Sequence, residues 1–135
     1  MIYLDSCILI YAVEHEGALG ASIRQRLADA GDTVVAISPL VLLECTVGPL
    51  RSENLSLYDH YLRASEQFQM LPLGVDEYLR AADLRARNGL RTPDALHLAA
   101  ALLAPPADLV LTTWDRQLHG AAKAAGLLLA PEHLS

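Results

Sequence analysis

The sequence predicts an α/β protein, a three-layer α/β/α sandwich around a central, mostly parallel sheet of four or five strands. Short apolar segments alternate along the chain with longer helical patterns, which is typical of βαβ units. The 135 residues are close to the commonest domain size of about 100 to 150, so we expect a single domain over residues 1–135. The 53% hydrophobic and 19% charged residues exclude an intrinsically disordered chain.

The predicted strands are short and apolar. Residues 2–4 form the first strand, which ends at Asp5. Residues 33–37 are continuously apolar and rich in β-branched side chains, as expected for a parallel strand that is buried on both faces. Residues 70–73 are a weaker candidate, and residues 108–112 form the last clear strand.

The predicted helices begin and end at capping signals. Ser38-Pro39 and Thr92-Pro93 each supply an N-cap residue followed by a first-turn proline. Because Gly48-Pro49 interrupts the pattern, we expect the helix that begins at Pro39 to end at Val47. The predicted helices cover residues 8–13, 18–30, 39–47, 53–68, 75–88, 93–103 and 116–125.

Composition restricts the possible functions. The net charge of −6 argues against non-specific binding of duplex nucleic acid through a basic face, unless a metal site alters the balance. No apolar run approaches the roughly 18 residues of a membrane span, and the N-terminal residues lack the basic segment of an export signal, so we expect a cytoplasmic protein. Cys7 and Cys45 lack the spacing of a disulfide framework or a zinc site, and we expect both to be reduced.

Acidic residues follow the first and the last clear strands. Asp5 comes directly after residues 2–4, and Asp115 follows residues 108–112 after a short turn. Because ligand sites of parallel sheets form beyond the carboxyl ends of the strands, we expect both carboxylates at the same edge. Either residue alone is also explained as the cap of the next helix.

Two further acids lie in predicted helices, Glu44 on an apolar face and Asp94 in a first turn. Glu44 shares its face with Leu40, Val41 and Val47, and no Lys or Arg lies within one helical turn of it. A carboxylate on a buried face is costly unless it is neutral, paired or bound to a cation, although a distant Arg is an alternative partner. Asp94 follows Thr92-Pro93, where an interaction of roughly 0.3 to 1 kcal/mol with the helix N-terminus would alone explain it.

Four carboxylates at one edge would repel one another unless they were protonated or neutralised. A hard divalent cation with oxygen ligands, Mg²⁺ or Mn²⁺, is the natural partner of such a set. These ions activate water and stabilise charge on a phosphoryl group, so hydrolysis of phosphodiester bonds is the reaction that the set favours.

The segments around these acids resemble the four acid motifs of PIN-domain ribonucleases. In order, the segments are MIYLDSCILIYAVE, ISPLVLLECTVG, LRTPDALHLAAAL and LVLTTWDRQL. Their order and spacing are similar to those of the VapC toxins of bacterial and archaeal toxin–antitoxin pairs, and the resemblance covers nearly the whole chain. It implies a PIN-like fold, an endoribonuclease that depends on Mg²⁺ or Mn²⁺, inhibition by a VapB-like antitoxin protein, and a homodimer.

The resemblance also implies roles for particular residues. It identifies Asp5 and Asp94 as the most consistent metal ligands, with Glu44 and Asp115 as the second and fourth acids of the catalytic set. The hydroxyl groups of Ser6, Thr92 and Thr113 would orient carboxylates or metal-bound water, and helix or turn capping explains them equally well.

Other polar residues carry weaker expectations. His97 lies one turn after Asp94, a position that could face the site, but we expect it to be a packed residue of an Ala- and Leu-rich helix, with no catalytic role. Arg80, Arg85, Arg87 and Arg91 are expected to form a solvated helix flank, with contact to an RNA backbone as the alternative.

Three other functions are alternatives to the nuclease, and each requires particular residues. A haloacid-dehalogenase type of phosphatase needs an aspartate two residues after Asp5, where Cys7 stands. A phospho-acceptor signalling domain needs a lysine after the last strand, whereas Lys123 lies inside the final predicted helix. A PIN fold kept as a non-catalytic interaction module is the main alternative, although it predicts degraded acid positions and all four acids are present.

Overall fold

The computed structural model describes residues 1–134 as a five-stranded sheet with seven α-helices. In chain order the elements are β1 (Ile2–Leu4), α1 (Ser6–Glu14), α2 (Ala18–Asp29), β2 (Val35–Ile37), α3 (Pro39–Arg51), α4 (Leu55–Ser65), β3 (Gln69–Met70), α5 (Val75–Asn88), α6 (Thr92–Ala101), β4 (Val110–Thr112), α7 (Arg116–Ala124) and β5 (Leu128–Ala130). A short 3-10 turn, Pro106–Asp108, precedes β4. None of these helices is long and apolar enough to cross a membrane.

The sheet has the strand order β3-β2-β1-β4-β5, and every neighbouring pair is parallel. The helices cover both faces, so the predicted α/β/α sandwich with a parallel sheet is confirmed. From the central β1 the chain builds β2 and β3 on one side and later adds β4 and β5 on the other. The order therefore reverses between β1 and β4, and ligand sites of open parallel sheets form at such a reversal, beyond the carboxyl ends of the strands.

The core is aliphatic and lies on the central strands. Leu4, Ile37 and Leu111 are at most 1% exposed, as expected for strands that are covered on both faces. Helix α6 is buried over all residues from 94 to 101, four of which are alanines. Small side chains allow this helix to approach its neighbours closely, and the same burial encloses the polar residues that α6 carries.

Strand β1 has the predicted bounds, and β2 and β4 each begin two residues later than predicted. The two edge strands, β3 and β5, differ more because they depend on their neighbours. Strand β5 was not predicted: it follows Gly126, whose φ of +85° suits glycine, and it forms by pairing with β4. Strand β3 lies at residues 69–70 rather than 70–73. The backbone N–H of Leu71 still donates to Ile37, but Pro72 has no donor with which to extend the ladder.

The prediction that the third helix ends at Val47 is wrong, because α3 continues through Pro49 to Arg51. A proline this close to the end of a helix removes only one backbone donor. The Pro49 ring is buried, and the carbonyl oxygens of Gly48 and Pro49 accept hydrogen bonds from the backbone of Ser52 and Asn54 at 3.0 and 2.9 Å. Burial and these bonds complete the last turn.

The predicted cap of α6 is also corrected. The helix begins at Thr92, and the N-cap position belongs to Arg91. The Thr92 hydroxyl accepts a hydrogen bond from Arg85 Nη1 at 2.9 Å instead of capping the helix. Ser38 does occupy the N-cap position of α3, but its hydroxyl pairs with the Tyr3 hydroxyl at 2.9 Å.

The contact between α1 and α2 leaves no room for a side chain at Gly20. A Cβ there would lie 2.1 Å from the backbone oxygen of His15. We expect Gly20→Ala to lower the free energy of unfolding by about 1 to 3 kcal/mol, the range of overpacked sites, in urea denaturation. Gly120→Ala on α7 is the control, since its Cβ would meet open space and helix propensity should raise stability by roughly 0.5 to 1 kcal/mol. Shifts of the same sign in both variants would contradict the close contact.

Candidate active site

The four acids singled out in the sequence line one pocket of about 360 Å³. Asp5 is the N-cap residue of α1, directly after β1, and Asp115 is the N-cap residue of α7, shortly after β4. Asp94 lies in the first turn of α6, and Glu44 lies in the middle of α3. The pocket therefore lies at the carboxyl ends of the two strands between which the strand order reverses.

The carboxylate of Asp5 is held from two sides. It is 6% exposed, and Oδ1 accepts a hydrogen bond from the backbone N–H of Ser6 at 2.7 Å. The fully buried Thr113 hydroxyl donates to Oδ2 at 2.6 Å. Thr113 also accepts a hydrogen bond from the backbone N–H of Asp115 at 3.0 Å. One hydroxyl therefore fixes the positions of Asp5 and Asp115 relative to each other.

Arg91 joins the carboxylates of Asp94 and Asp115. Its Nε lies 3.1 Å from Asp94 Oδ2, and its Nη2 lies 2.9 Å from Asp115 Oδ2. Burial raises the pKa of Asp94, and the nearby carboxylates of Asp115 and Asp5 raise it further. Arg91 lowers this pKa, but the net result is a pKa above the usual range of an aspartate. The ionised form of Asp94 is therefore costly in this pocket even with Arg91 beside it.

Glu44 has His97 as its partner. The His97 Nε2 atom lies 2.7 Å from Glu44 Oε1 and 3.3 Å from Asp5 Oδ1. Burial raises the pKa of Glu44, but its hydrogen bond with His97, with smaller contributions from Ser6 and Arg91, holds it below its usual value. The desolvation of the Glu44 carboxylate on the apolar face of α3 is thus offset by a hydrogen bond with a histidine of α6.

Sequence reasoning missed two residues of this site. His97 is packed, as expected, at 1% exposure, but its ring lies against two of the predicted acids. Arg91, which was assigned to a solvated flank, lies at the pocket with its side chain 64% exposed. Each is three residues from Asp94, one on either side, a spacing that puts side chains on the same face of a helix. In the sequence this spacing already allows His97 to face the site, and the same spacing would have indicated Arg91.

The three hydroxyl residues that were predicted to orient the acids divide into two groups. The hydroxyl groups of Ser6 and Thr113 both donate to Asp5, at 3.4 and 2.6 Å, whereas that of Thr92 pairs with Arg85. Trp114 packs edge-on against Tyr11, with ring centroids 4.8 Å apart, and also lines the pocket. Both cysteines are free thiols, as predicted, and Cys7 lines the pocket while Cys45 is buried.

The donors of the pocket fit a hard divalent cation. Asp5, Glu44 and His97 each offer one ligand atom, and these atoms lie within 4.8 Å of one another. The carboxylates of Asp94 and Asp115 share the same pocket. A set dominated by carboxylate oxygens suits Mg²⁺ or Mn²⁺ better than the softer metals that thiolates select.

A family model for the PIN domain matches residues 2–123. The chain belongs to the PIN-domain family. Within it, Ribonuclease VapC49 and Ribonuclease VapC45 of Mycobacterium tuberculosis are each 46% identical to this PIN domain over 54 residues. That alignment covers 40% of this chain and only 38% of each relative.

Solved structures with the same fold include toxin–antitoxin proteins. A toxin–antitoxin complex from Klebsiella pneumoniae has a chain that is 26% identical, with a TM-score of 0.68 over 85% of this chain and 87% of that one. VapC20 of Mycobacterium tuberculosis, described as a toxin that cleaves the sarcin-ricin loop, is 18% identical, with a TM-score of 0.73 over the whole of both chains. A chain of VapBC2 from Rickettsia felis is 21% identical, with a TM-score of 0.71 over 96% of this chain and 97% of that one.

The opposite pKa shifts of Asp94 and Glu44 predict opposite pH dependences of stability without metal. Because the folded pKa of Asp94 is raised, its contribution to stability is lost as pH rises through that pKa, so Asp94→Asn should gain on the wild type toward neutral pH. Because the folded pKa of Glu44 is lowered, its contribution is present above the unfolded pKa and lost as pH falls, so Glu44→Gln should be least stable relative to the wild type at neutral pH.

The measurement is urea denaturation of the three proteins in EDTA between pH 3.5 and pH 7, a range that covers the usual carboxyl pKa values of about 4. Asp32→Asn is the control, because Asp32 is exposed and lies outside the pocket. Stability differences that change in the same direction with pH for both site variants would contradict the electrostatic description of the pocket.

Proposed function

We propose that the chain is a metal-dependent endoribonuclease, a single catalytic domain that hydrolyses RNA phosphodiester bonds in the cytoplasm as the toxin of a VapBC-type pair. The observation that carries the proposal is the meeting of Asp5, Glu44, Asp94 and Asp115 in one open pocket. Similarity to ribonucleases named VapC and to toxin–antitoxin structures supports the choice of RNA as substrate.

Mg²⁺ or Mn²⁺ is the proposed cofactor. Asp5 and Asp94 would hold the ion, with Glu44 and Asp115 completing the carboxylate set. Once bound, such an ion activates water and stabilises negative charge on the phosphoryl group. The hydrogen bonds from Ser6 and Thr113 keep the Asp5 carboxylate in place, so little reorganisation is needed when the ion binds.

Arg91 has two partners in this mechanism. In the structure Arg91 neutralises the carboxylates of Asp94 and Asp115, and a bound metal ion would neutralise them in its place. The released guanidinium lies at the mouth of the pocket, where it can bind a phosphate oxygen of RNA. A local cation of this kind offsets the net charge of −6, which otherwise opposes the approach of a polyanion.

The first test is RNA cleavage. With Mg²⁺ or Mn²⁺ the protein should cleave single-stranded or loop RNA and leave 5′-phosphate and 3′-hydroxyl ends, as attack by water in line with the leaving oxygen requires. Asp94→Asn should reduce cleavage to the background, whereas the exposed Asp32→Asn control should retain it. Mass spectrometry of the products identifies the ends. Cleavage that persists in excess EDTA, or a 2′,3′-cyclic product, would overturn the mechanism.

Thermal melts of the same proteins separate loss of metal from loss of fold. Mg²⁺ at about 100 times its dissociation constant should stabilise the wild type by roughly 2.7 kcal/mol, and less in Asp94→Asn. Equal metal-induced shifts would remove Asp94 from the metal site. A wild type that binds metal but cleaves no RNA would favour the non-catalytic interaction module.

We also propose that a VapB-like antitoxin covers the pocket and that the toxin is a homodimer. Arg91 demonstrates the geometry by which a guanidinium binds two carboxylates of the site, and an arginine of the partner would use the same chemistry. For the homodimer, Val75, Tyr78 and Leu79 are 74%, 55% and 65% exposed on one face of α5. Such an apolar face fits a second copy of the chain.

Co-expression tests the partner. If a short reading frame lies immediately upstream of the gene, the protein expressed together with its product should purify as a stable complex that does not cleave RNA. Expression of the protein alone should slow growth. Size-exclusion chromatography and growth curves are the measurements. A chain that purifies alone and leaves growth unchanged would contradict the toxin proposal and leave the nuclease proposal standing.

A further inference from the structure

The ring of His97 has a protein partner at each nitrogen. The residue lies on α6, three positions after Asp94, and is 1% exposed. Nε2 faces Glu44 Oε1 at 2.7 Å and Asp5 Oδ1 at 3.3 Å. On the other side, Nδ1 lies 2.8 Å from the Tyr3 hydroxyl. The ring therefore lies between the carboxylate pocket and the buried core of β1.

The carboxylate side decides which nitrogen carries a proton. The oxygen that faces Nε2 belongs to the carboxylate of Glu44, and a carboxylate only accepts hydrogen bonds. A nitrogen 2.7 Å from such an oxygen has to donate. The contact is favourable only with a proton on Nε2, and the same N–H points near Asp5.

The core side supplies the matching partner for Nδ1. The Tyr3 hydroxyl is fully enclosed and lies within hydrogen-bond distance of both Nδ1 and the Ser38 hydroxyl. This hydroxyl can donate to Nδ1 while it accepts from the Ser38 hydroxyl at 2.9 Å. Ser38, Tyr3, His97 and Glu44 then form one chain of hydrogen bonds, each donating to the next.

We propose that His97 is a positioning residue that holds the Glu44 and Asp5 carboxylates through a proton on Nε2, and that the Tyr3 hydroxyl keeps the proton on that nitrogen. The assignment rests on the proposed metal site and narrows its ligand set. A nitrogen that donates a hydrogen bond has no lone pair for a metal, so the ligands in the group of Asp5, Glu44 and His97 are the two carboxylates. His97 acts on the metal through Glu44 and Asp5.

Three variants separate positioning from ligation. His97→Leu removes the N–H donor, His97→Gln keeps an N–H donor near the place of Nε2, and Tyr3→Phe removes only the hydroxyl. We expect His97→Leu to weaken Mn²⁺ binding by about 10- to 100-fold, the effect of losing a group that orients metal ligands. His97→Gln should restore most of that loss, and Tyr3→Phe should lie between the two. Isothermal titration calorimetry measures the affinities, and urea denaturation checks that each variant folds.

Matched controls exist elsewhere in the chain. His119→Gln removes a buried imidazole that bonds the backbone oxygen of Pro131, and Tyr61→Phe removes a buried hydroxyl that donates to Glu14. Neither residue lines the pocket, so both variants should bind Mn²⁺ as the wild type does. Loss of affinity in these controls equal to that in His97→Leu would overturn a specific role for His97.

Two spectroscopic measurements complete the test. In the metal-free wild type, ¹⁵N-detected NMR of the imidazole should show the proton on Nε2 of His97, and a bare Nε2 would overturn the proposal. With Mn²⁺ bound, pulsed EPR should detect no directly coordinated imidazole nitrogen, and a nitrogen coupling that disappears in His97→Gln would establish ligation instead. If the wild type binds no Mn²⁺, the metal proposal fails, and the NMR result still decides the position of the proton.

Discussion

Mutual repulsion among four carboxylates in one small pocket is the constraint that the surrounding structure has to meet. Each carboxylate has its own donors. Asp5 accepts from the Ser6 backbone and the Thr113 hydroxyl, and Asp115 accepts from the N-terminal turn of α7. Asp94 pairs with Arg91, and Glu44 pairs with His97. The negative charge of the carboxylates is therefore offset by a backbone amide, a hydroxyl, a guanidinium and an imidazole, so the pocket can form before a metal binds.

Sheet topology explains why so few residues achieve this arrangement. Strands β1 and β4 are neighbours and parallel, so their carboxyl ends place Asp5 and Thr113 within hydrogen-bond distance. Alternation along β1 sets Tyr3 on the same side as Asp5, two residues earlier. Strand β1 and the residue that follows it therefore supply one ligand candidate, Asp5, and, through Tyr3, the support of His97. This short segment takes part in both the site and the core.

The two basic side chains of the pocket, His97 and Arg91, differ in accessibility, and this difference suits them to different roles. His97 is enclosed and bonded on both nitrogens, so it suits permanent support of the carboxylates. Arg91 is largely exposed and lies at the pocket mouth, so it is free to exchange partners in the proposed reaction. Asp94 has a raised pKa despite Arg91, a sign that the metal-free pocket keeps part of its electrostatic strain. Stability given up at this position is a common cost of a binding site.

The sequence by itself determined the α/β class, most of the helices and the four acids, because these depend on signals within a few residues: β-branched runs, capping residues and an acid just after a strand. Tertiary structure decided the continuation of α3 through Pro49 and the presence of β5, since burial and pairing with β4 outweigh weak local signals. It also decided the partners of the acids. Glu44 and His97 are 53 residues apart in the chain, and Arg91 and Asp115 are 24 apart. Local propensity acts over one or two helical turns, whereas distances between such residues are set only when the helices pack on the sheet.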